Sequence, residues 1–183
     1  QLTKKNGNII FDKDFKNSNT LRKIAKRKKL NIINIGTSNS HLKINSLKIL
    51  NNYQYVKFSY QNKEYQFKTR LIGKIQIKNL IMAVAAALKS NLKIDNIVKK
   101  LEYIKPTKGR LEKIGITKDN SIVILDYAHT PEALKTCILN IKEQFSLRKI
   151  NIVFGCGGER DKEKRPIMDK IANKLCNYIY LTD

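Results

Sequence analysis

The 183 residues carry 37 Lys and Arg against 15 Asp and Glu, a formal charge of +22 with a pI near 10.0, and 42% of them are hydrophobic. That apolar share supports a folded core of one domain or two small ones and excludes a basic disordered tail. No apolar run approaches the roughly 18 residues of a membrane-spanning helix, and the opening residues Gln1-Leu2-Thr3-Lys4-Lys5 offer no apolar signal core, so neither a membrane-spanning helix nor a signal peptide is expected. Position 1 is not Met and the last residues, Leu181-Thr182-Asp183, follow a strand-like run directly, which leads to the expectation of a piece of a longer chain. Cys137, Cys156 and Cys176 are odd in number and lack a CxxC pair, a pattern of neither a disulfide framework nor a zinc site, which fits a reducing compartment and leads to the expectation of a cytoplasmic protein.

Taken in order, Asn8 to Phe11 is a short apolar strand, followed by Asp12-Lys13-Asp14. Thr20 to Lys29 reads as a basic helix with Leu21, Ile24 and Ala25 on its apolar side, and Leu30 to Ile35 as a strand closed by Gly36. From Lys43 to Leu71 the pattern alternates as in an antiparallel meander, with Gln61-Asn62-Lys63 at a hairpin turn. The period then becomes helical: Leu80 to Leu88 is Ala-rich, and Ile94 to Tyr103 turns Ile97, Val98 and Leu101 inward. Pro106-Thr107-Lys108-Gly109 breaks the pattern and predicts a boundary, with domains over 1–108 and 109–183.

Beyond that boundary, Ser121 to Leu125 is a strand and Thr130-Pro131-Glu132 opens a helix running to about Phe145. Ile150 to Phe154 is a strand, Gly155 to Asp161 a Gly-rich loop, Glu163 to Cys176 a helix and Tyr178 to Leu181 a strand. This alternation predicts an α/β fold with a parallel, Rossmann-like sheet, whose ligand sits at the carboxyl ends of the strands.

The charge is unevenly placed: residues 1–109 hold 24 basic and 5 acidic side chains, residues 110–183 hold 13 and 10. Tyr53, Tyr55, Phe58 and Tyr60 lie among the first set and could form a stacking platform for a single strand, which keeps a basic nucleic-acid-binding module as an alternative. The other reading is a Lys/Asn/Ile-rich composition falling on solvated faces. No signature of a nucleic-acid-binding fold accompanies the charge, and no specific nucleic-acid partner is expected.

Three clusters place ionisable groups at strand ends or at the boundary. They are Gly109-Arg110-Leu111-Glu112, Asp126-Tyr127-Ala128-His129-Thr130-Pro131, and the loop from Gly155 to Pro166. Glycines let backbone N–H groups approach an anion, and an Arg fork suits a carboxylate or a phosphate. Asp126 could bind a ribose hydroxyl, orient a cation or cap a helix. His129 could contact a phosphate or move a proton, or simply be hydrogen-bonded, and Arg110 could reach phosphates or pair with Glu112.

The order of these motifs resembles the Mur ligase family, most closely its UDP-N-acetylmuramoyl-tripeptide synthetase type. GRLE at 109–112, DYAHTP at 126–131 and FGCGGERDKEKRP at 154–166 carry the likeness, followed by Leu181-Thr182-Asp183. Upstream, Leu71 to Asn79 is similar to the family's GxxNxxN segment, with Gln76 where Asn is usual and Asn79 matching. The likeness covers residues 70–183 well and 1–69 loosely. It implies the end of a P-loop-type central ATPase domain joined to a partial Rossmann-like ligand-binding domain. It also implies an ATP-dependent amide ligase that activates the D-Glu carboxylate of UDP-MurNAc-L-Ala-D-Glu as an acyl phosphate and adds a diamino acid, meso-diaminopimelate or L-lysine.

By the same resemblance, Arg110, Asp126 and Asn79 contact the nucleotide, with Arg110 on phosphate and Asp126 on ribose, and His129 lies beside the phosphates as the catalytic-site candidate. Arg160 binds the carboxylate of the incoming amino acid, with Lys164 and Arg165 shaping that loop. ATP and Mg²⁺ are the implied cofactors, with the Mg²⁺ ligands expected upstream, no metal ligand assigned in this chain, and a monomer expected. These residues contain no GTxGKT-like P-loop and no region matching that of the modified lysine. Phe11 stands where an Asn would serve the adenine, and the chain stops where the motif selecting the third amino acid would begin, so it is not expected to turn over alone. The alternatives within the class are the MurF, folylpolyglutamate synthase and cyanophycin synthetase types. Because the Lys residues of 1–109 are dispersed, DNA binding is expected to be weak and to collapse between low and physiological salt, as fluorescence anisotropy of a labelled oligonucleotide would show.

Overall fold

Residues 4–50, 52–155 and 163–182 are described by a computed structural model, and they divide into two units. The first comprises 1–71 with 75–105, the second 72–74 with 106–183.

The first unit is built on a five-stranded sheet in the order β1-β2-β3-β4-β5. Strand β1 (Asn8–Asp12) runs parallel to β2 (Asn31–Gly36), with helix α1 (Ser18–Arg27) as the crossover between them. Strand β3 (Leu42–Leu50) overlaps β2 in parallel by only two pairs, Ile35 with Leu42 and Gly36 with Lys43. The chain shifts sideways between them, and the His41 N–H donates to Asn34 Oδ1 at 3.1 Å to pin the shift. β3, β4 (Tyr53–Tyr60) and β5 (Lys63–Thr69) then form the expected antiparallel meander. Gln61 and Asn62 both have positive φ, the two-residue turn whose twist matches a hairpin.

Alternation decides which face is buried. Ile35, Leu42, Ile44, Val56, Phe58 and Phe67 point into one core with Ile77, Ile81 and Val84 of helix α2 (Lys74–Lys89) and Leu101 of α3 (Ile94–Leu101). The helix expected over Leu80–Leu88 therefore starts six residues earlier. Ile77 is wholly buried, and tertiary packing outweighs the weak helix propensity of its β-branched side chain. The same alternation corrects the stacking-platform reading. Phe58 is fully buried, Tyr60 packs on the core, and only Tyr53 and Tyr55 lie on the outer face, where Arg70 and Lys68 stand 5.0 and 5.5 Å from the Tyr53 ring centroid.

In the second unit, β6 (Glu112–Ile116) and β7 (Ile122–Leu125) form an antiparallel hairpin with a bulge between Lys113 and Gly115. This corrects the sequence expectation, which had no strand at 112–116 and put 121–125 in a parallel sheet. The parallel pairing is between β8 (Asn151–Gly155) and β9 (Tyr178–Thr182), joined through helix α5 (Lys164–Leu175) as a βαβ unit. Asn177 closes the crossover: its N–H donates to the Ile150 carbonyl at 2.7 Å and its Oδ1 accepts from the Ile150 N–H at 2.9 Å. Helix α4 (Pro131–Gln144) packs Leu134 and Ile138 against Met168 of α5, over Ile152 and Phe154 of β8. At Gly155 a Cβ would stand 2.6 Å from the Thr182 carbonyl oxygen, so only glycine allows β8 and β9 to pair to their ends.

Sharp corners rely on asparagine. Of the nine non-glycine residues with positive φ among the described residues, six are Asn: 6, 39, 52, 62, 91 and 120. The facing of β4 gives a direct check in urea denaturation. Phe58→Ala is expected to cost about 3–5 kcal/mol, and Tyr55→Ala on the outer face under about 1 kcal/mol.

Candidate functional site

Two of the three motifs meet at one end of the β6–β7 hairpin. The turn before β6 is set by Gly109, whose φ of +67° suits its lack of a side chain, and by the Arg110 N–H donating to the Thr107 carbonyl at 3.0 Å. Leu111 follows with φ of +46°, a left-handed conformation unusual for a branched side chain, and it is only 4% exposed. What holds it there is a carboxylate. Asp126, just past the end of β7, accepts the Leu111 N–H on Oδ2 at 2.8 Å and the Ala128 N–H on Oδ1 at 2.9 Å.

Further bonds close the knot. The Tyr127 N–H donates to the Gly109 carbonyl at 2.8 Å, and Glu112 Oε2 accepts the Gly109 N–H at 2.8 Å. Thr130 then caps α4, its Oγ1 accepting the Ala133 N–H at 3.2 Å with Pro131 in the first helical position, as the Thr-Pro-Glu pattern predicts. Asp126 therefore organises the loop instead of capping the helix.

The side chains of this knot present a polar array. Arg110, Tyr127 and His129 are exposed, and Tyr127 stands between the other two. The Arg110 guanidinium carbon lies 5.4 Å from the Tyr127 ring centroid, and the His129 ring meets that ring edge-on at 5.2 Å. His129 Nδ1 is 3.0 Å from the Tyr127 carbonyl oxygen. A carbonyl only accepts, so Nδ1 carries the proton in this contact and Nε2 is the nitrogen open to another partner.

Cys137 of α4 is tied to the same carboxylate. Burial, reinforced by the negative charge of Asp126 and by the thiol's hydrogen bond to it, pushes the Cys137 thiol up to about 12. Cys176 is also raised by burial, with Lys142 opposing.

The structure brings together Arg110, Asp126 and His129 among the residues singled out from sequence. Lys164 and Arg165 form the first turn of α5, a turn without acidic residues. Arg160 lies outside the described residues. Asn79 is an exposed residue of α2 in the first unit. Near it in sequence, Lys78 donates to Asp12 Oδ2 at 2.6 Å, while Asp14 Oδ2 accepts the Thr37 N–H and hydroxyl at 2.9 and 3.0 Å. Phe11 is buried and, with Lys13, Ser18, Asn19 and Arg22, lines a groove of about 250 Å³. Tyr127, Leu111 and Cys137 were not read as site residues, since ring contacts, a left-handed leucine and a thiol–carboxylate bond leave no mark in residue spacing. Among the described residues, no group of three or more His, Cys, Asp or Glu side chains could hold a metal ion, and no helix is long and apolar enough to cross a membrane.

Residues 1–87 match the Mur ligase middle domain, and residues 109–183 match the family described as Mur ligase, glutamate ligase domain. The chain is 36% identical over 180 residues to the UDP-N-acetylmuramoyl-L-alanyl-D-glutamate–2,6-diaminopimelate ligase of Rickettsia rickettsii, covering 97% of this chain and 36% of the relative. The ligase of the same name from Chelativorans sp. (strain BNC1) is 33% identical, with 91% and 34% covered. The chain thus spans about a third of the length of the curated relatives it matches. A solved structure of a ligase of this name superposes with a TM-score of 0.65 at 25% identity, covering 97% of this chain and 37% of that one. A folylpolyglutamate synthase–AMPPCP–folate complex gives 0.77 at 19% identity, covering 97% and 43%, a likeness of fold.

The thiol supplies a test of the knot. An unfolded Cys loses its proton near pH 8.5 and the folded Cys137 near 12, so this group leaves stability unchanged below about pH 8.5 and lowers it as pH rises towards 12. Urea unfolding at pH 8 and pH 10 should show this loss, diminished in Cys137→Ala. Peptide mapping after iodoacetamide treatment at pH 7.5 should find Cys137 unmodified until the chain is denatured.

Proposed function

The chain belongs to the Mur ligase family, and from that premise we propose that it is the portion of an ATP-dependent amide ligase that joins a diamino acid to UDP-MurNAc-L-Ala-D-Glu in the cytoplasm. Residues 1–108 take the end of the central ATPase domain and 109–183 the start of the ligand-binding domain. The diamino acid is 2,6-diaminopimelate, by analogy with the relatives' names. The observation carrying the reading is the knot at the end of the β6–β7 hairpin, which gathers Arg110, Asp126 and His129 at one exposed face.

The chemistry needs what that face offers. A carboxylate of the dipeptide attacks the γ-phosphorus of ATP, ADP leaves, and the amine of the diamino acid then displaces phosphate from the acyl phosphate. Such transfers depend on positioning and on positive charge near the phosphates. Arg110 offers a guanidinium to them, and His129 offers Nε2, its Nδ1 engaged by the backbone. Asp126 suits a ribose. A carboxylate has about four lone-pair sites, and with the Leu111 and Ala128 N–H groups and the Cys137 thiol on three of them, capacity remains for a hydroxyl donor. Asn79 is assigned to the nucleotide as well. Mg²⁺ is assigned no residue among those described.

The incoming amino acid is assigned to Arg160, Lys164 and Arg165. Lys164 and Arg165 open α5, where the helix dipole favours an anion such as a carboxylate. Steady-state kinetics on the full-length protein separate the two subsites. Arg160→Ala is expected to raise the diaminopimelate KM by about 30-fold or more while the ATP KM stays within about twofold. Diaminopimelate kinetics unchanged in Arg160→Ala would remove the assigned role.

A further inference from the structure

We infer that Tyr127 is a positioning residue of this site, its ring holding Arg110 and His129 together as one receptor for the polyphosphate of the nucleotide. The inference rests on the nucleotide-binding reading above and names the part that orders it.

The backbone of Tyr127 is fixed from both sides. Its N–H donates to the Gly109 carbonyl at 2.8 Å, its carbonyl accepts from His129 Nδ1 at 3.0 Å, and the residues flanking it are joined by the Ala128 N–H to Asp126 Oδ1 bond of 2.9 Å. Tyr127 is 66% exposed, so burial is not what it contributes. Instead it touches the two flanking functional groups. The Arg110 guanidinium lies within the roughly 6 Å over which a cation is held by a ring face, and the His129 ring meets it at an interplanar angle of 61°.

Two consequences follow for a ligand. A free Arg side chain loses rotamer freedom when it grips a phosphate, and one already resting on a ring loses less. The edge contact likewise restrains the His129 imidazole, so that Nε2 keeps its direction between turnovers. Both effects are spent on nucleotide binding, not on the amino acid, and both need the ring and not the phenolic oxygen.

The test is a kinetic cycle in the full-length protein, with folding of each variant followed by thermal melting. Tyr127→Leu is expected to raise the ATP KM about tenfold, with kcat changed less than about threefold and the diaminopimelate KM within about twofold. Tyr127→Phe, which restores the ring, should bring the ATP KM back to within about twofold of wild type. Combining Tyr127→Leu with Arg110→Ala should raise the ATP KM no more than about twofold above Arg110→Ala alone, since the two residues act through one contact. Tyr127→Gln takes the place of the Leu variant should that fail to fold. A ringless variant with wild-type ATP kinetics, or one whose effect multiplies in full onto Arg110→Ala, overturns the positioning role while leaving the ligase reading intact. A wild-type protein without ATP-dependent ligation overturns both.

Discussion

The Asp126 carboxylate is the constraint on which the hairpin end of the second unit depends, because it solves two backbone problems at once. Leu111 sits in a left-handed conformation that costs of order 1–3 kcal/mol and is tolerated only where surrounding bonds over-determine it. Its N–H is paired by one Asp126 oxygen while the other turns the chain at Ala128 towards α4. A charge-assisted bond of this kind is roughly twice as strong as a neutral one, and here two come from a single side chain. The order of Arg110, Tyr127 and His129 is thus inherited from a bond none of them makes.

How much of this was legible varies with the range of the interaction responsible. The meander, the turn at Gln61–Asn62 and the Thr130 cap are local, and each had a signal: alternation, a two-residue polar break, and Thr before Pro. Strand β6 was not legible because its bulge between Lys113 and Gly115 breaks the alternation. Its pairing with β7 is a choice of partner that residue pattern alone leaves open, and so β7 was assigned to the wrong neighbour. The early start of α2 is similar, since Ile75 and Ile77 favour strands until a core takes Ile77.

At the site, Arg110, Asp126 and His129 could be named from the order of their motifs, but what each side chain does could not. Asp126 reads from sequence as a ribose ligand, a cation-orienting group or a helix cap, and its bonds to Leu111 and Ala128 depend on how the hairpin ends. Tyr127 was invisible for the opposite reason. It stands in the middle of a motif, yet its relation to Arg110, seventeen positions away, exists only once the Gly109 carbonyl meets the Tyr127 N–H. The aromatic series at 53–60 shows the converse hazard: four rings close in sequence are divided by strand alternation between a core and a solvent face.

The asparagines at the corners of the chain bear on the unfolded state. Positions with positive φ commonly go to glycine, which can reach that region freely but also samples more of conformational space when the chain is unfolded. Among the described residues, six of these corners are Asn. Asn reaches the left-handed region with less penalty than other side-chain-bearing residues, yet keeps a Cβ that narrows the denatured ensemble. Each such corner therefore gives up less entropy on folding than a glycine would. The Asn of a Lys/Asn/Ile-rich composition thus lowers the entropic cost of closing the turns.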